Sequence, residues 1–242
     1  MLRNDVAMVE VPQSQRPGQT AIYRNPKSYH ALDHRNSRNL YTLYDVFEHS
    51  VKKWPNNPFL GTCVNGAYQW QTFKQVAELR VGSGLMTLLE KNGIKKTTAL
   101  GIYSINRPEW VITAEICNAY KMASVALYDT LGPDAAAYIL NHSEIDAVVA
   151  AKVAIPNLLK VAHKVPKLKV IVSMDSLNDE CSDITRQWAK DRNIILVDWN
   201  ELEVLGRKYP KAHEPAGQED IACICYTSGT TGDPKGALLS HK

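Results

Sequence analysis

Hydrophobic and polar residues change their spacing along the chain, and each spacing predicts a type of element. Between residues 42 and 53, apolar residues recur at three- and four-residue intervals, at Leu43, Val46, Phe47 and Val51. These intervals predict a helix, which should end at Trp54 because Pro55 disfavours helical backbone in the residue before it. Residues 1–37 contain prolines and few large apolar residues, which predicts an extended arm.

A second helix is expected from Thr72 to about Glu90. Thr72 and Gln75 have the spacing of a capping box, in which each side chain bonds the backbone of the other residue. Gly93 is the expected terminator, since glycine readily adopts the left-handed conformation that ends many helices.

From residue 98 onward, short apolar runs alternate with helical patterns. The strands are predicted at 98–103, 124–128, 147–150, 168–174, 194–197 and 220–226. Between them, helices are predicted at 133–141, 155–163 and 184–190, and another should begin with Asn106 as its cap and Pro108 in its first turn. This alternation predicts an α/β domain over residues 38–242, with a mainly parallel sheet and helices on both faces.

Composition excludes several classes of protein. A net charge of +3 over 242 residues gives no reason to expect a nucleic-acid partner. The five cysteines are odd in number and include no C-x-x-C pair, which indicates neither a disulfide framework nor a zinc site. No apolar stretch approaches the ~20 residues of a membrane span. The sequence therefore predicts a protein of the cytosol or an organelle lumen, and it leaves peripheral membrane contact open.

Residues 226–236, which read YTSGTTGDPKG, carry the clearest chemical signal. They follow a buried type of strand, and they combine hydroxyl groups, two close glycines and a lysine. Glycines let the backbone approach a phosphate, hydroxyls donate to its oxygens, and Lys235 supplies a mobile positive charge. The carboxyl end of a strand is also where open α/β sheets bind ligands.

Two nucleotide-binding motifs are excluded by the spacing, and one simpler explanation stays open. In the NTPase phosphate loop, a lysine directly follows the second glycine, whereas Asp233 and Pro234 separate Gly232 from Lys235 here. The stretch is not G-x-G-x-x-G either. Because Gly, Ser, Asp and Pro also dominate ordinary turns, a mobile surface loop is the alternative.

The same residues resemble the signature loop of the adenylate-forming superfamily, which includes acyl-CoA synthetases, luciferases and peptide-synthetase adenylation domains. The similarity runs from Tyr226 to His241. Residues 126–133, ALYDTLGP, are similar to a segment of long-chain fatty-acid–CoA ligases, and 106–110, NRPEW, resemble a further landmark of that family. Residues 22–25 and 54–55 look like the fungal branch of these ligases, including its peroxisomal type.

The resemblance implies the N-terminal domain of the adenylate-forming fold and a two-step reaction. A fatty acid carboxylate would attack the α-phosphate of ATP, and coenzyme A would then take the acyl group, with Mg²⁺ offsetting the triphosphate charge. It assigns the β- and γ-phosphates to Thr227, Ser228, Gly229, Thr230, Thr231 and Gly232. Lys235 would steady the loop or neutralise pyrophosphate, and Thr230 would be the hydroxyl nearest Mg²⁺. No nucleophile or general base is expected among these residues.

The family places its adenine-binding motif, its Mg²⁺-binding glutamate and a catalytic lysine downstream of this stretch, partly on a small C-terminal domain. We therefore expect residues 38–242 to be a partial AMP-binding domain without acyl-CoA synthesis of its own. A ligase for an aryl or secondary-metabolite acid and a non-catalytic nucleotide-binding or interaction fragment are the alternatives. His241 is expected either near the acyl pocket or frayed at the end of the chain. The resemblance implies the peroxisome or the cytoplasm, with peripheral contact to the endoplasmic reticulum membrane as a further option.

Overall fold

The computed structural model describes residues 8–26, 29–30, 39–94, 97–128, 135–227 and 233–242. In chain order, the strands of this part are β1 Val9–Glu10, β2 Tyr23–Arg24, β3 Pro58–Val64, β4 Ala67–Thr72, β5 Ala99–Tyr103, β6 Ala123–Ala126, β7 Ala147–Ala150, β8 Val170–Ser173, β9 Ile195–Asp198, β10 Ile221–Thr227 and β11 Lys235–Ser240. The α-helices are α1 Leu43–Lys53, α2 Phe73–Ala77, α3 Val81–Lys91, α4 Pro108–Ala119, α5 Ala135–His142, α6 Ile155–Val161, α7 Glu180–Asp191 and α8 Trp199–Lys208.

A seven-stranded sheet within the described residues organises the fold, in the order β11-β10-β6-β5-β7-β8-β9. All neighbouring pairs are parallel except β10–β11, which is antiparallel. The prediction of a mainly parallel α/β sheet is confirmed. Helices that connect parallel strands cover both faces of the sheet. The strands between them are therefore apolar at nearly every position. The 147–150 run is one of these, and all four of its residues are buried.

Two hydrophobic cores lie on the two faces of this sheet. One core joins α5, α6 and α7 to the sheet, and the other joins α3, α4 and α8 to it. Side chains along β5 point to the two faces in turn. Leu100 and Ile102 pack into the second core, whereas Ala99 and Tyr103 pack into the first. The chain therefore leaves β5 and β6 toward opposite faces, which is the arrangement that opens a crevice at the carboxyl ends of such strands.

The helix predicted from 72 to 90 is interrupted, which corrects the sequence expectation. Its capping box at Thr72 and Gln75 is confirmed, but α2 ends at Ala77 and α3 begins at Val81. In the break, the backbone N–H of Arg80 donates to the carboxylate of Glu203 on α8, at 2.6 Å. This bond ties the backbone just before α3 to α8.

The cap predicted for α4 is also wrong. Arg107, not Asn106, is the N-cap residue, with extended backbone (φ −159°) and Pro108 in the first turn. Arg107 instead uses its side chain for ion pairs, at 2.6 Å to Glu109 and 2.9 Å to Asp175. These ion pairs fix the start of α4 next to the carboxyl end of β8, and the Arg107 side chain makes no capping bond to the helix.

Two hairpins were not expected from the sequence. β3 and β4 are joined through Asn65 and Gly66, whose φ values of 50° and 81° are those of a tight two-residue hairpin turn. In the N-terminal segment, β1 pairs with β2. That hairpin belongs to a separate compact unit, Met1–Leu40, and the second unit is Tyr41–Lys242. The expected division of the chain at residue 38 stays a prediction.

Glu115 on α4 gives the second unit an expected dependence on pH. It lines a cleft with Tyr44, Tyr120 and His213, and burial raises the pKa of its carboxyl from 4.5 to about 7. Since this folded-state pKa lies above the ordinary value, the stability it contributes is present below about pH 4.5 and is lost as pH rises to about 7. We expect Glu115→Gln to gain stability relative to the wild type over that interval, by about 3 kcal/mol at most.

Urea unfolding of both proteins at pH 4.5, 6 and 8 measures this difference. Glu180→Gln is the control, since Glu180 is exposed on α7. A difference between Glu115→Gln and the wild type that stays constant with pH would show that Glu115 ionises in the folded protein as it does in water.

Candidate phosphate-binding site

The antiparallel pair β10–β11 holds the two ends of the predicted phosphate loop. Thr227, the last residue of β10, lies opposite Lys235, the first residue of β11, and Tyr226 lies opposite Gly236. The structure thus brings the two described site residues, Thr227 and Lys235, to the same end of the sheet, and both are exposed. The other predicted site residues, Ser228, Gly229, Thr230, Thr231 and Gly232, lie outside the described residues.

The described start of the second sequence landmark, residues 126–128, lies at the same edge of the sheet. β6 runs parallel to β10, with Ser124 opposite Cys223 and Val125 opposite Ile224. Because parallel strands end at the same edge, Tyr128, two residues after β6, lies near the end of β10. The pKa of Tyr128 is raised, chiefly by burial and also by the nearby thiols of Cys225 and Cys223. Residues 129–133 of the landmark lie outside the described part of the chain.

Close packing sets the position of the strand pair before the loop. Tyr226 is 3 % exposed. It lies against Gly236, where an added Cβ would be 3.1 Å from the tyrosine ring and 3.1 Å from Ile224. A side chain at 236 would therefore push the Tyr226 ring and Ile224 by a few tenths of an ångström, and glycine allows their close approach.

His241 is bound at the other end of β11, which corrects the alternative that it frays. Its backbone N–H donates to the carbonyl of Asp220 at 3.2 Å, and its Nδ1 accepts from the backbone N–H of Leu43 at 3.2 Å. Burial lowers the pKa of His241, against the nearby carboxylates of Asp220 and Asp45, which raise it. Neutral imidazole is the form that can accept this bond, so His241 ties β11 to the first turn of α1.

The positive charge of Lys235 at the loop end favours an anionic ligand. Lys235 brings a positive charge to the carboxyl end of the sheet, next to the hydroxyl of Thr227. In the described part of the chain, no group of three or more His, Cys, Asp or Glu residues is arranged to hold a metal ion. Mg²⁺ in nucleotide sites is held largely by phosphate oxygens and water, with one or two protein oxygens. Hydroxyl oxygens of the kind at Thr227 fit that limited protein contribution.

None of the helices in the ranges described above is both long and apolar enough to cross a bilayer.

Comparison with known proteins adds a family and a fold. Residues 47–242 match the family described as AMP-binding enzyme. The chain is 34 % identical over 248 residues to long chain acyl-CoA synthetase 7, peroxisomal, of Arabidopsis thaliana, covering 99 % of this chain and 34 % of that protein. It is 40 % identical over 205 residues to long-chain-fatty-acid–CoA ligase 1 of Cavia porcellus, covering 83 % of this chain and 29 % of that protein.

Among solved structures, the A-PCP didomain of a carboxylic acid reductase from Segniliparus rugosus, in complex with AMP, superposes with a TM-score of 0.73 at 17 % identity. The match covers 85 % of this chain and 32 % of that one, and it shows a shared fold. The chain spans about a third of the length of the curated relatives it matches. Relatives of similar identity come from a plant, an animal and a fungus, Penicillium brevicompactum at 33 %, so the expectation of a fungal-branch ligase stays a prediction.

Proposed function

Because the chain belongs to the AMP-binding enzyme family, we propose that it supplies the phosphate-binding part of a ligase that activates a long-chain fatty acid with ATP. The observation that carries the proposal is the strand pair β10–β11, which presents Thr227 and Lys235 on either side of the signature loop. The names of the relatives above support a long-chain fatty acid as the substrate.

The reaction proposed for the whole protein has two balanced steps. A carboxylate oxygen of the fatty acid attacks the α-phosphorus of ATP, and pyrophosphate leaves with the electron pair of the broken P–O bond. The sulfur of coenzyme A then attacks the acyl carbon, AMP leaves, and the thiol proton is released. The first step concentrates negative charge on the departing pyrophosphate, so fixed donors and cations at that position lower its barrier.

The described residues of this chain bind and orient the phosphates in this scheme. Thr227 donates its hydroxyl to a phosphate oxygen, and the Lys235 ammonium neutralises charge on the pyrophosphate. Ser228, Gly229, Thr230, Thr231 and Gly232 complete the proposed loop. Mg²⁺, bound with ATP, would offset charge on the same phosphates, and Thr230 is the proposed protein hydroxyl nearest to it.

A peroxisomal location is the finer part of the proposal. It is supported by the names of two Arabidopsis thaliana relatives that are 34 % and 35 % identical, both of which are called peroxisomal. We also propose that the protein contacts a membrane surface peripherally, because long-chain fatty acids concentrate there. A fluorescent fusion that co-localises with a peroxisomal marker tests this proposal, and uniform cytoplasmic fluorescence would contradict it.

Fatty-acid-dependent exchange of radiolabelled pyrophosphate into ATP tests the activity, since it detects adenylate formation without coenzyme A. We expect the whole protein with Mg²⁺ to exchange faster with hexadecanoate than without acid. Exchange with benzoate alone would favour the aryl-acid alternative. Binding of MgATP with no exchange for any acid would favour a non-catalytic nucleotide-binding module. The absence of both MgATP binding and exchange would contradict the proposal.

A further inference from the structure

We propose that His142 and Ser143, at the end of α5, are positioning residues that hold the Tyr226 hydroxyl and thereby set the place where the phosphate-binding loop begins. This inference rests on the proposed function for its consequence in ATP binding, but the contact itself does not depend on it. Neither residue belongs to the signature stretch, and each is more than 80 residues from Tyr226 along the chain.

The hydroxyl of Tyr226 has two short bonds. His142 Nδ1 lies 2.6 Å from it and Ser143 Oγ lies 2.7 Å from it. A phenol hydroxyl has one proton to donate and lone pairs to accept with, so it can serve both partners at once. Burial raises the pKa of Tyr226, which keeps the proton on the phenol. Because a buried hydroxyl without partners is unfavourable, the two bonds fix the ring in one orientation.

The ring of Tyr226 is also fixed from the opposite side. Gly236 on the facing strand lets the ring pack closely against β11, because a Cβ at that position would lie 3.1 Å from the ring. Thr227 directly follows Tyr226, and Thr227 is the paired partner of Lys235. A displacement of the Tyr226 ring would therefore move both proposed phosphate ligands.

α5 is a rigid support for these contacts. Ile139 and Leu140 on this helix are fully buried in the core. Tyr138 stacks on the imidazole of His142, with ring centroids 5.4 Å apart and planes within 12° of parallel. His142 is thus oriented by its own helix before it meets Tyr226. α5 links the core of the domain to the first residue of the signature stretch, which is the role of a positioning element.

Four variants test the assignment. Tyr226→Phe keeps the ring and removes the hydroxyl, and the double variant His142→Leu/Ser143→Ala removes both partners. His142→Asn leaves Ser143 in place and puts an amide group close to the position of Nδ1. Compared with the double variant, it should therefore regain the bond that His142 makes to the Tyr226 hydroxyl. Tyr138→Phe is the matched control, since it is the same substitution on the same helix and keeps the ring that stacks on His142.

Hydrogen exchange at the backbone amides of Thr227 and Lys235 is the first readout, and the dissociation constant for MgATP is the second. We expect about tenfold faster exchange and about tenfold weaker binding for Tyr226→Phe and for the double variant. Wild-type values should persist in Tyr138→Phe, and His142→Asn should recover most of the loss. Unchanged exchange at Thr227 and Lys235 in Tyr226→Phe and in the double variant would overturn the inference.

The two readouts separate this inference from the proposed function. If the wild type does not bind MgATP, the proposed function fails, yet the exchange comparison still decides whether His142 and Ser143 position the strand pair. A general loss of structure would instead raise exchange equally in the central strands β5 and β7. Such uniform acceleration would also overturn a local positioning role.

Discussion

Gly84→Ala is expected to lower the free energy of unfolding by about 3 kcal/mol or more, the upper end of what overpacking a core produces. Helices α3 and α8 cross at this residue without room for a side chain. A Cβ added to Gly84 would lie 2.0 Å from the carbonyl oxygen of Leu202 on α8. Because that neighbour is backbone, no rotation of a side chain relieves the clash, and the two helices must move apart.

Gly206→Ala should destabilise the protein by a similar amount, since its added Cβ would lie 1.9 Å from the carbonyl oxygen of Arg80. Gly217→Ala is the matched control, because the same added methyl would lie 3.5 Å from the Asp220 carboxylate, an ordinary contact. Chemical denaturation monitored by circular dichroism measures all three proteins. If Gly84→Ala and Gly206→Ala unfold at the wild-type denaturant concentration, the helices do not approach as closely as described.

Lys235→Glu is expected to weaken MgATP binding ~100-fold or more, because it removes a charge-assisted contact and places a carboxylate against the triphosphate. Lys235 is exposed at the start of β11, so the folded structure should tolerate the change. Isothermal titration calorimetry with MgATP measures the loss. The effect should diminish at high salt, since exposed charges are screened over ~10 Å at 0.1 M ionic strength.

Lys242→Glu is the control for this charge reversal. Lys242 lies beyond the other end of β11 and pairs with Glu219 at 3.0 Å on the surface. Reversing it changes the net charge of the protein by the same amount, far from the loop. Equal weakening of MgATP binding in the two variants would mean that overall charge, rather than a contact at Lys235, governs affinity.

The parts of the fold that bury continuous apolar runs could be predicted from the sequence. The strand at 147–150 has the predicted bounds, and the run at 168–174 contains β8, whose four residues are all buried. Such runs carry their signal locally, because a strand covered on both faces needs apolar residues at every position. Fold class follows from their alternation with helices.

Elements with few buried apolar residues were harder to predict. β3 and β4 keep Tyr68 and Trp70 64 % and 53 % exposed, so they lack the alternation of a half-buried strand. The Asn65-Gly66 pair was the available signal, because only a few residue types adopt positive φ at both turn positions. Helix α8 was not predicted either, and its available signal was the capping box formed by Asp198 and Glu201.

Contacts between distant parts of the chain lie beyond sequence patterns. The signature loop identified Thr227 and Lys235 as candidates, but its spacing says nothing about His142 or Ser143. These residues meet Tyr226 because α5 and Tyr226 pack into the same core. The same is true of His241 and Leu43, which are 198 residues apart. Register and helix crossing determine these pairs, and both depend on the whole packed core.

Backbone NMR during titration with MgATP tests the central claim most directly, that the loop between β10 and β11 binds the triphosphate. We predict the largest amide shift changes at residues 227–236, saturating with ATP and also produced by pyrophosphate with Mg²⁺. Amides of β8 and β9, at the other end of the sheet, should change little. Saturable shifts confined to another surface, or no shifts at millimolar MgATP, would contradict the account.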